Sequence, residues 1–345
     1  MQPMSPPKRP PAALSGTPPI LVGSPRLNRT VGFSSHNNIV RTAILCVVGA
    51  LSLIVFFKRG GEWLPSLSSS ERVAVSSGAM AAGSGRPSSS SSSHELAMEE
   101  SNGFFDDIPE EEWERLRNIA HDMQPNAKGD PSDASVGPFA WYQENYEPEF
   151  SCRHEQRVGR KGDGGKWVCD PHRIELKGGG DCLVYSVGSS GDASFEAAIL
   201  DDISSGCEIH VFDFGDFAQT VADQTGHSPN VHYHQWGLSS RTEGRYKSFT
   251  DTLSELGHVN RTIDVFKIDC EGCELDTYQA WLEAPVKLQQ ILVEIHKHGA
   301  VDMFQSLHDA GYAIFHKEPN IQYQIGNICV EYCFVLLSPK FWTTE

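Results

Sequence analysis

The segment Leu183-Val-Tyr-Ser-Val187, followed at once by Gly188-Ser189-Ser190-Gly191-Asp192, constrains the fold of this chain more than any other stretch. It reads as a buried strand, a glycine turn and the start of a helix through Ala193-Ser-Phe-Glu-Ala-Ala-Ile-Leu200. A strand feeding such a turn lets the backbone come close to a ligand, and the helix start offers free N–H groups. A second apolar strand, Glu208-Ile-His-Val-Phe-Asp213, ends in a carboxylate 25 residues after Gly188. That is near the roughly 20 residues at which Rossmann-type units place an acid on a ribose. Two glycines by themselves also suit an ordinary turn. Joined to the acid-ended second strand, they point to a site for a nucleoside cofactor.

Beyond this point the pattern alternates. Strands at 183–187, 208–213, 231–235, 262–269 and 290–296 precede helices near 192–203, 215–225, 250–257, 273–282 and 301–310. Strands at 312–317 and 328–337 close the chain. Such alternation predicts a parallel sheet with helices on both faces, finished by a β-hairpin. Upstream, Ile108-Pro-Glu-Glu-Glu-Trp-Glu-Arg-Leu-Arg117 has Pro at its start and acids in its first turn. It predicts an accessory helix with Trp113, Leu116 and Ile119 on one face.

The N-terminal part has a different character. Residues 1–38 are rich in Pro, Ser and Arg, and residues 58–103 carry a serine run among Gly and Ala. Neither stretch holds enough apolar surface to offset chain entropy. Between them, residues 39–57 are apolar apart from Arg41. The uncharged run 42–57 reaches roughly 24 Å, against a bilayer core of about 30 Å. Snorkelling by Arg41 and Lys58 closes the gap. A cleavable leader would carry a basic region of about 40 residues, which is too long, so an anchor is expected. Five basic residues precede the run and only Lys58 and Arg59 follow closely, which places the N-terminus in the cytoplasm. The expected organisation is a disordered tail (1–38), a transmembrane anchor (39–57), a disordered stalk (58–103), an accessory segment (104–180) and a catalytic domain (181–345). That domain is expected in the lumen of the Golgi or endoplasmic reticulum, as in a type II single-pass protein.

Charge narrows the partners. Residues 1–60 hold seven basic and no acidic side chains, leaving 21 basic against 45 acidic beyond them. So acidic a region repels phosphate backbones, which excludes nucleic acid, and attracts cationic ligands. Of the nine cysteines, Cys152 and Cys169 flank a Gly-rich loop. They pair in an oxidising compartment or stay as buried thiols. Cys182, Cys207, Cys329 and Cys333 lie in apolar strands and read as core thiols. Cys270 and Cys273 form a C-x-x-C with no second pair at zinc spacing, so no metal knuckle is expected. Asn260-Arg-Thr262 is a glycosylation acceptor in a luminal domain.

Lys267-Ile-Asp-Cys-Glu271-Gly272-Cys-Glu274 resembles the K-I-D-x-E-G-x-E signature of FkbM-type S-adenosylmethionine (SAM)-dependent methyltransferases. Ile291-Leu-Val-Glu294-Ile-His296 resembles the V-E-I-H strand that follows it. With the Tyr185–Glu196, His210–Asp213 and Trp167–Asp170 elements, the chain is most similar to the methyltransferase-like protein 24 group, over about residues 140–340. The resemblance implies a class I methyltransferase fold. That is a Rossmann-like, doubly wound α/β sheet with a terminal β-hairpin, here after a single transmembrane helix and stalk. It implies SAM as cofactor and does not name the acceptor.

Within that resemblance, Gly188, Ser189 and Gly191 pass the methionine part of SAM, Asp213 takes the ribose hydroxyls, and Trp236 or Leu238 covers the adenine. The plainer alternatives are Asp213 as a helix N-cap and Trp236 as core. Methyl transfer is an in-line displacement in which the protein positions the acceptor and removes its proton. Asp269, Glu271, Glu294 and His296 fall at the C-terminal ends of the fourth and fifth strands, where open α/β sheets bind ligands. They are the candidate catalytic residues. Asp269 and Glu271, with His296, are also a candidate set for a divalent ion. The structural alternative has Glu271 and Glu274 capping the next helix and His296 in a structural hydrogen bond. Lys267 is expected to pair with a carboxylate. The pairs His232/His234 and His296/His298 each share a strand face.

The expected function is a membrane-anchored SAM-dependent methyltransferase. It would O-methylate a glycan, lipid-linked, protein or small-molecule acceptor in the secretory pathway. Two readings compete. One is a type II glycosyltransferase using Asp269-Cys-Glu271 as a metal site for a nucleotide sugar; the other is a non-catalytic binding module.

Overall fold

The computed structural model of the chain describes residues 95–123, 141–142, 144–176, 181–296, 299–320 and 329–343. The tail 1–38, the anchor 39–57 and most of the stalk 58–103 lie outside the described residues. Among the described residues, no helix is long and apolar enough to cross a membrane.

The C-terminal part of the expected stalk departs from that expectation. Residues Glu95–Glu100 form α1, and Glu110–Met123 form α2. Ala97 is fully buried, and the Glu100 carboxylate accepts from Trp113 Nε1 (2.5 Å) and Arg117 Nη1 (2.7 Å). A short apolar side chain and a paired acid dock α1 despite its polar composition. In α2, Trp113, Leu116 and Ala120 are buried, while Ile119 is 40% exposed. The buried stripe runs at i, i+3, i+7, so Ala120 and not Ile119 completes the face.

A hairpin comes next, β1 (Glu155–Val158) and β2 (Lys166–Cys169), then the short helix α3 (Pro171–Glu175). The alternating part follows as β3 (Leu183–Val187), α4 (Ser194–Ala198), β4 (Glu208–Phe212), α5 (Ala218–Gln224) and β5 (Val231–His234). Two-residue strands β6 (Gly237–Leu238) and β7 (Tyr246–Lys247) pair with each other before α6 (Phe249–Leu256). Then come β8 (Thr262–Ile263), β9 (Val265–Ile268), α7 (Cys273–Glu283), β10 (Lys287–Leu288) and β11 (Gln290–Ile295). The described chain closes with α8 (Val301–Asp309), β12 (Tyr312–Pro319) and β13 (Val330–Leu336). The expected strand 262–269 is thus two strands. Asp264, fully buried between them, accepts the Leu183 N–H on its side chain at 3.1 Å.

Seven strands form one sheet in the order β12-β13-β11-β9-β3-β4-β5. The five from β11 to β5 run parallel, and β13 is antiparallel to both β11 and β12. The order of elements predicted this parallel sheet closed by a β-hairpin, and it is the class I methyltransferase plan that the resemblance implied. Alternate residues feed two cores. Val184, Val211, Val265 and Leu292 face one, with α2 and α4; Tyr185, Phe212, Phe266 and Val293 face the other, with α6, α7 and α8.

Among the described residues three disulfides are present, Cys152–Cys169, Cys182–Cys207 and Cys270–Cys273, while Cys329 and Cys333 are buried thiols. The second corrects the reading of Cys182 and Cys207 as core thiols. Each immediately precedes one of two paired parallel strands, with Leu183 opposite Glu208. The register therefore brings their Cα atoms to 4.7 Å, within disulfide reach.

Candidate active site

The glycine turn leaves β3 at the C-terminal edge of the sheet. Gly188 has φ 76°, and a Cβ there would lie 1.8 Å from the Asp269 carbonyl oxygen. Only glycine allows the ends of β3 and β9 to come this close. Gly191, at φ 82°, leaves room in the same way for the ring of Phe217.

The N–H groups of this turn are not free, contrary to the sequence reading. Asp213 Oδ2 accepts from Ser189 N (3.0 Å) and Ser190 N (2.8 Å), and its Oδ1 accepts from Gly215 N (2.8 Å). Ser189 Oγ takes the Gly191 N–H at 3.3 Å. Asp192 Oδ1 accepts from Ser194 N, and Gln224 Oε1 from Ala193 N. Asp213 is therefore no cap of α5; it holds the glycine turn in shape. A carboxylate has about four lone-pair sites. Oδ2 also accepts from Ser189 Oγ at 3.5 Å, so Oδ1, with its single donor, is the oxygen that keeps a lone pair for a ligand hydroxyl.

Trp236, just after β5, is half-buried. Its ring packs on His234 (centroids 4.5 Å) and Phe212 (5.9 Å), and the Lys247 ammonium lies 3.7 Å from its centroid. Leu238 is buried. The free aromatic surface at the end of β4 belongs to Phe214, 55% exposed, with Tyr246 beside it at 6.1 Å. The sequence reading missed Phe214, although its place directly after Asp213 was a usable signal.

Across the same edge runs a row of acids. Glu294 of β11 stands opposite Glu331 of β13, and Glu331 opposite Glu318 of β12. Asp269, one residue beyond the end of β9, continues the row beside Glu294. Like charges directly opposite destabilise a sheet. The β1–β2 hairpin supplies the opposite charge. The fully buried Lys166 ammonium is 3.2 Å from Asp269 Oδ2, 3.7 Å from Glu294 Oε2 and hydrogen-bonded to Glu331. Arg157 pairs with Glu318, which also accepts from Trp167 Nε1 at 2.8 Å. Nothing in the sequence around Lys166 announces this role.

Protonation follows from the crowding. Burial opposes the charge of Asp269, yet Lys166, Lys267 and His296 hold its carboxyl far below the usual range. Burial and the Glu331 and Asp269 carboxylates push Glu294 up to about 9. Glu294 is therefore a neutral acid near pH 7, and Asn320 Nδ2 donates to it at 3.1 Å. Burial would lower His296, but its hydrogen bond to Glu274 and the Asp269 carboxylate raise it to about 9. Its Nδ1 is 3.3 Å from Glu274 Oε1 and its Nε2 is 3.4 Å from Asp269 Oδ1.

Glu274 is fully buried, accepting from the backbone N–H of Gly272 (2.9 Å) and of His296 (3.1 Å). The structural alternative thus holds for Glu274. It does not hold for Glu271, which is 85% exposed, sits at φ 59° and reaches within 3.9 Å of His296 Nε2. Lys267 makes no carboxylate pair among the described residues; its ammonium donates to the Gly188 carbonyl at 3.0 Å. The structure therefore joins Asp269, Glu294 and His296 in one cluster, with Glu271 at its rim. Gly188, Ser189, Gly191 and Asp213 form the adjoining turn, and Trp236 packs on Phe212, the residue before Asp213. His298 lies outside the described residues.

A divalent ion fits this cluster poorly. The Lys166 ammonium already stands between Asp269, Glu294 and Glu331, and His296 is held protonated between carboxylates. A cation would have to displace both charges.

A family model described as a methyltransferase domain matches residues 95–336. No curated protein matches the chain. Among solved structures, the fibrillarin pre-rRNA processing protein of Methanococcus jannaschii is similar at 9% identity and TM-score 0.32, covering 54% of this chain and 84% of its own. An O-methyltransferase of Bacillus cereus in complex with SAH is similar at 12% identity and TM-score 0.32, covering 48% and 80%. The N-methyltransferase NodS of Bradyrhizobium japonicum is similar at 10% and 0.31, covering 49% and 92%. At such scores none of the three carries an argument about activity.

Proposed function

The chain belongs to the methyltransferase-domain family, and from that premise we propose that it transfers the methyl group of SAM to an oxygen nucleophile. The observation that carries the choice of SAM is the filled glycine turn. Its N–H groups are taken by Asp213, Asp192, Gln224 and Ser189. A nucleotide sugar needs free amides for its diphosphate, so the glycosyltransferase reading loses its anchor point. A turn backed by carboxylates suits a cation instead.

SAM supplies an electrophilic methyl on a sulfonium centre. The residues of the chain divide the remaining work. Asp213 takes one ribose hydroxyl, and Phe214 offers a ring to the adenine. Asp269, ionised beside Gly188, orients the acceptor hydroxyl by accepting its hydrogen bond. Asp269 is too weak a base to keep the proton, so His296, once neutral, removes it. Lys166 holds the acid row in place without a metal ion. The motifs at 267–274 and 291–296 support an FkbM-type enzyme near the methyltransferase-like protein 24 group, acting on a glycan, lipid-linked or protein acceptor.

The anchor at 39–57 and a luminal catalytic part belong to the same proposal. Three disulfides support an oxidising compartment. Asn260 of the sequon is exposed. The test is calorimetric titration of SAM and its demethylated product into the full chain in detergent. Binding in the micromolar range, weakened at least tenfold by Asp213→Ala, is expected. Binding of a UDP- or GDP-sugar with manganese, and none of SAM, would overturn the reading.

A further inference from the structure

A second polar cluster lies away from the glycine turn, toward the N-terminal ends of β3 and β4. Glu208 opens β4, His210 follows two residues on, and His258 sits between α6 and β8. Glu208 Oε1 is 2.9 Å from His210 Nε2 and 3.2 Å from His258 Nε2. The three donor atoms all lie within 4.8 Å of one another. Ligand atoms around a tetrahedral zinc at about 2.0–2.1 Å stand about 3.3 Å apart. The cluster is close to that spacing already.

We infer that Glu208, His210 and His258 form a binding site for a borderline divalent transition ion, zinc foremost, independent of the methyl-transfer site. The outer groups of such a site are in place. His210 Nδ1 is bonded to His234 Nε2 (2.8 Å), His258 Nδ1 to the Tyr185 hydroxyl (2.6 Å) and Glu208 Oε2 to Arg261 Nη1 (2.7 Å). Partners of this kind fix ring orientation and tautomer in metal sites. Both imidazoles are nearly inaccessible, while the Glu208 side chain is one-third exposed. The ion would therefore enter past Glu208, with water completing its shell. Coordination ties the α6–β8 connection to β4, at the opposite end of the strand from Asp213. The role is structural and does not touch the acceptor.

The test uses the full chain, stripped of metal with a chelator and titrated with Zn2+ against a competing dye. One equivalent is expected to bind, and Co2+ to give the visible absorption of a tetrahedral site. Glu208→Gln and His258→Gln should each weaken Zn2+ binding at least tenfold, while exposed His227→Gln leaves it unchanged. Glu208→Gln retains the shape of the cluster, so it carries the test if His258→Gln fails to fold. Cys329→Ser addresses the rival set Glu294, His296 and Cys329. Loss of the equivalent in that variant, its retention in Glu208→Gln, or no tight binding by the native chain would each overturn the proposal.

Discussion

Glu294 and His296 stand two residues apart on one strand end, and both hold protons well above their ordinary pH range. For His296, a pKa raised from 6.5 to about 9 means the imidazolium dominates at neutral pH. If the neutral ring removes the acceptor proton, kcat should rise about tenfold per pH unit up to pH ~9. His296→Gln should lower the rate and flatten that slope, and a flat profile in the native enzyme would remove His296 from the role. The same shifts set stability. Groups with raised folded pKa values stabilise fully below their unfolded values and lose that contribution as pH climbs through the folded ones. Here the window runs from about 4.5 for Glu294 and 6.5 for His296 up to about 9. The melting temperature should therefore fall toward pH 9. Glu294→Gln, an analogue of the neutral acid, should be close to native at pH 5 and more stable than native at pH 9, as read by thermal denaturation. At this scale the sequence revealed which side chains reach the C-terminal edge of the sheet. It did not reveal their protonation, which depends on burial and on carboxylates that the fold brings beside them, Glu331 and Asp269 for Glu294, and Glu274 and Asp269 for His296.

The β1–β2 hairpin shows how an element with little sequence signal organises the edge. The five βα units were legible because strand runs, glycine turns and amphipathic helices recur in order. Lys166, inside a short polar stretch, carried no comparable mark. Replacing it with Met should destabilise the protein by about 3–5 kcal/mol in urea unfolding at neutral pH, since buried carboxylates lose their partner. The loss should shrink at low pH, where those carboxylates take up protons. Cys182 and Cys207 teach a related lesson. Each alone looks like a core thiol, and only the parallel register of β3 with β4 turns them into neighbours. The break at Asp264 was hidden for the same reason, because its partner, the Leu183 amide, is remote in sequence.

At the scale of the whole molecule, the disulfides bear on the proposed topology. Three disulfides and an exposed sequon asparagine support the proposed luminal topology. If that topology holds, a C-terminal tag should survive protease in sealed microsomes, and an endoglycosidase should shift the native chain but not Asn260→Gln. Digestion of the tag would place the domain in the cytosol, where SAM is made. The hairpin has a last consequence, for portability. Lys166 and the acids it balances are contributed by distant stretches of one chain, so the sheet from β3 onward is not a module that can be moved by itself. A chimaera grafting that sheet onto another scaffold would inherit a row of adjacent carboxylates without their ammonium. The smallest piece that can be transplanted with its edge neutral starts no later than Cys152, whose disulfide closes the base of the hairpin.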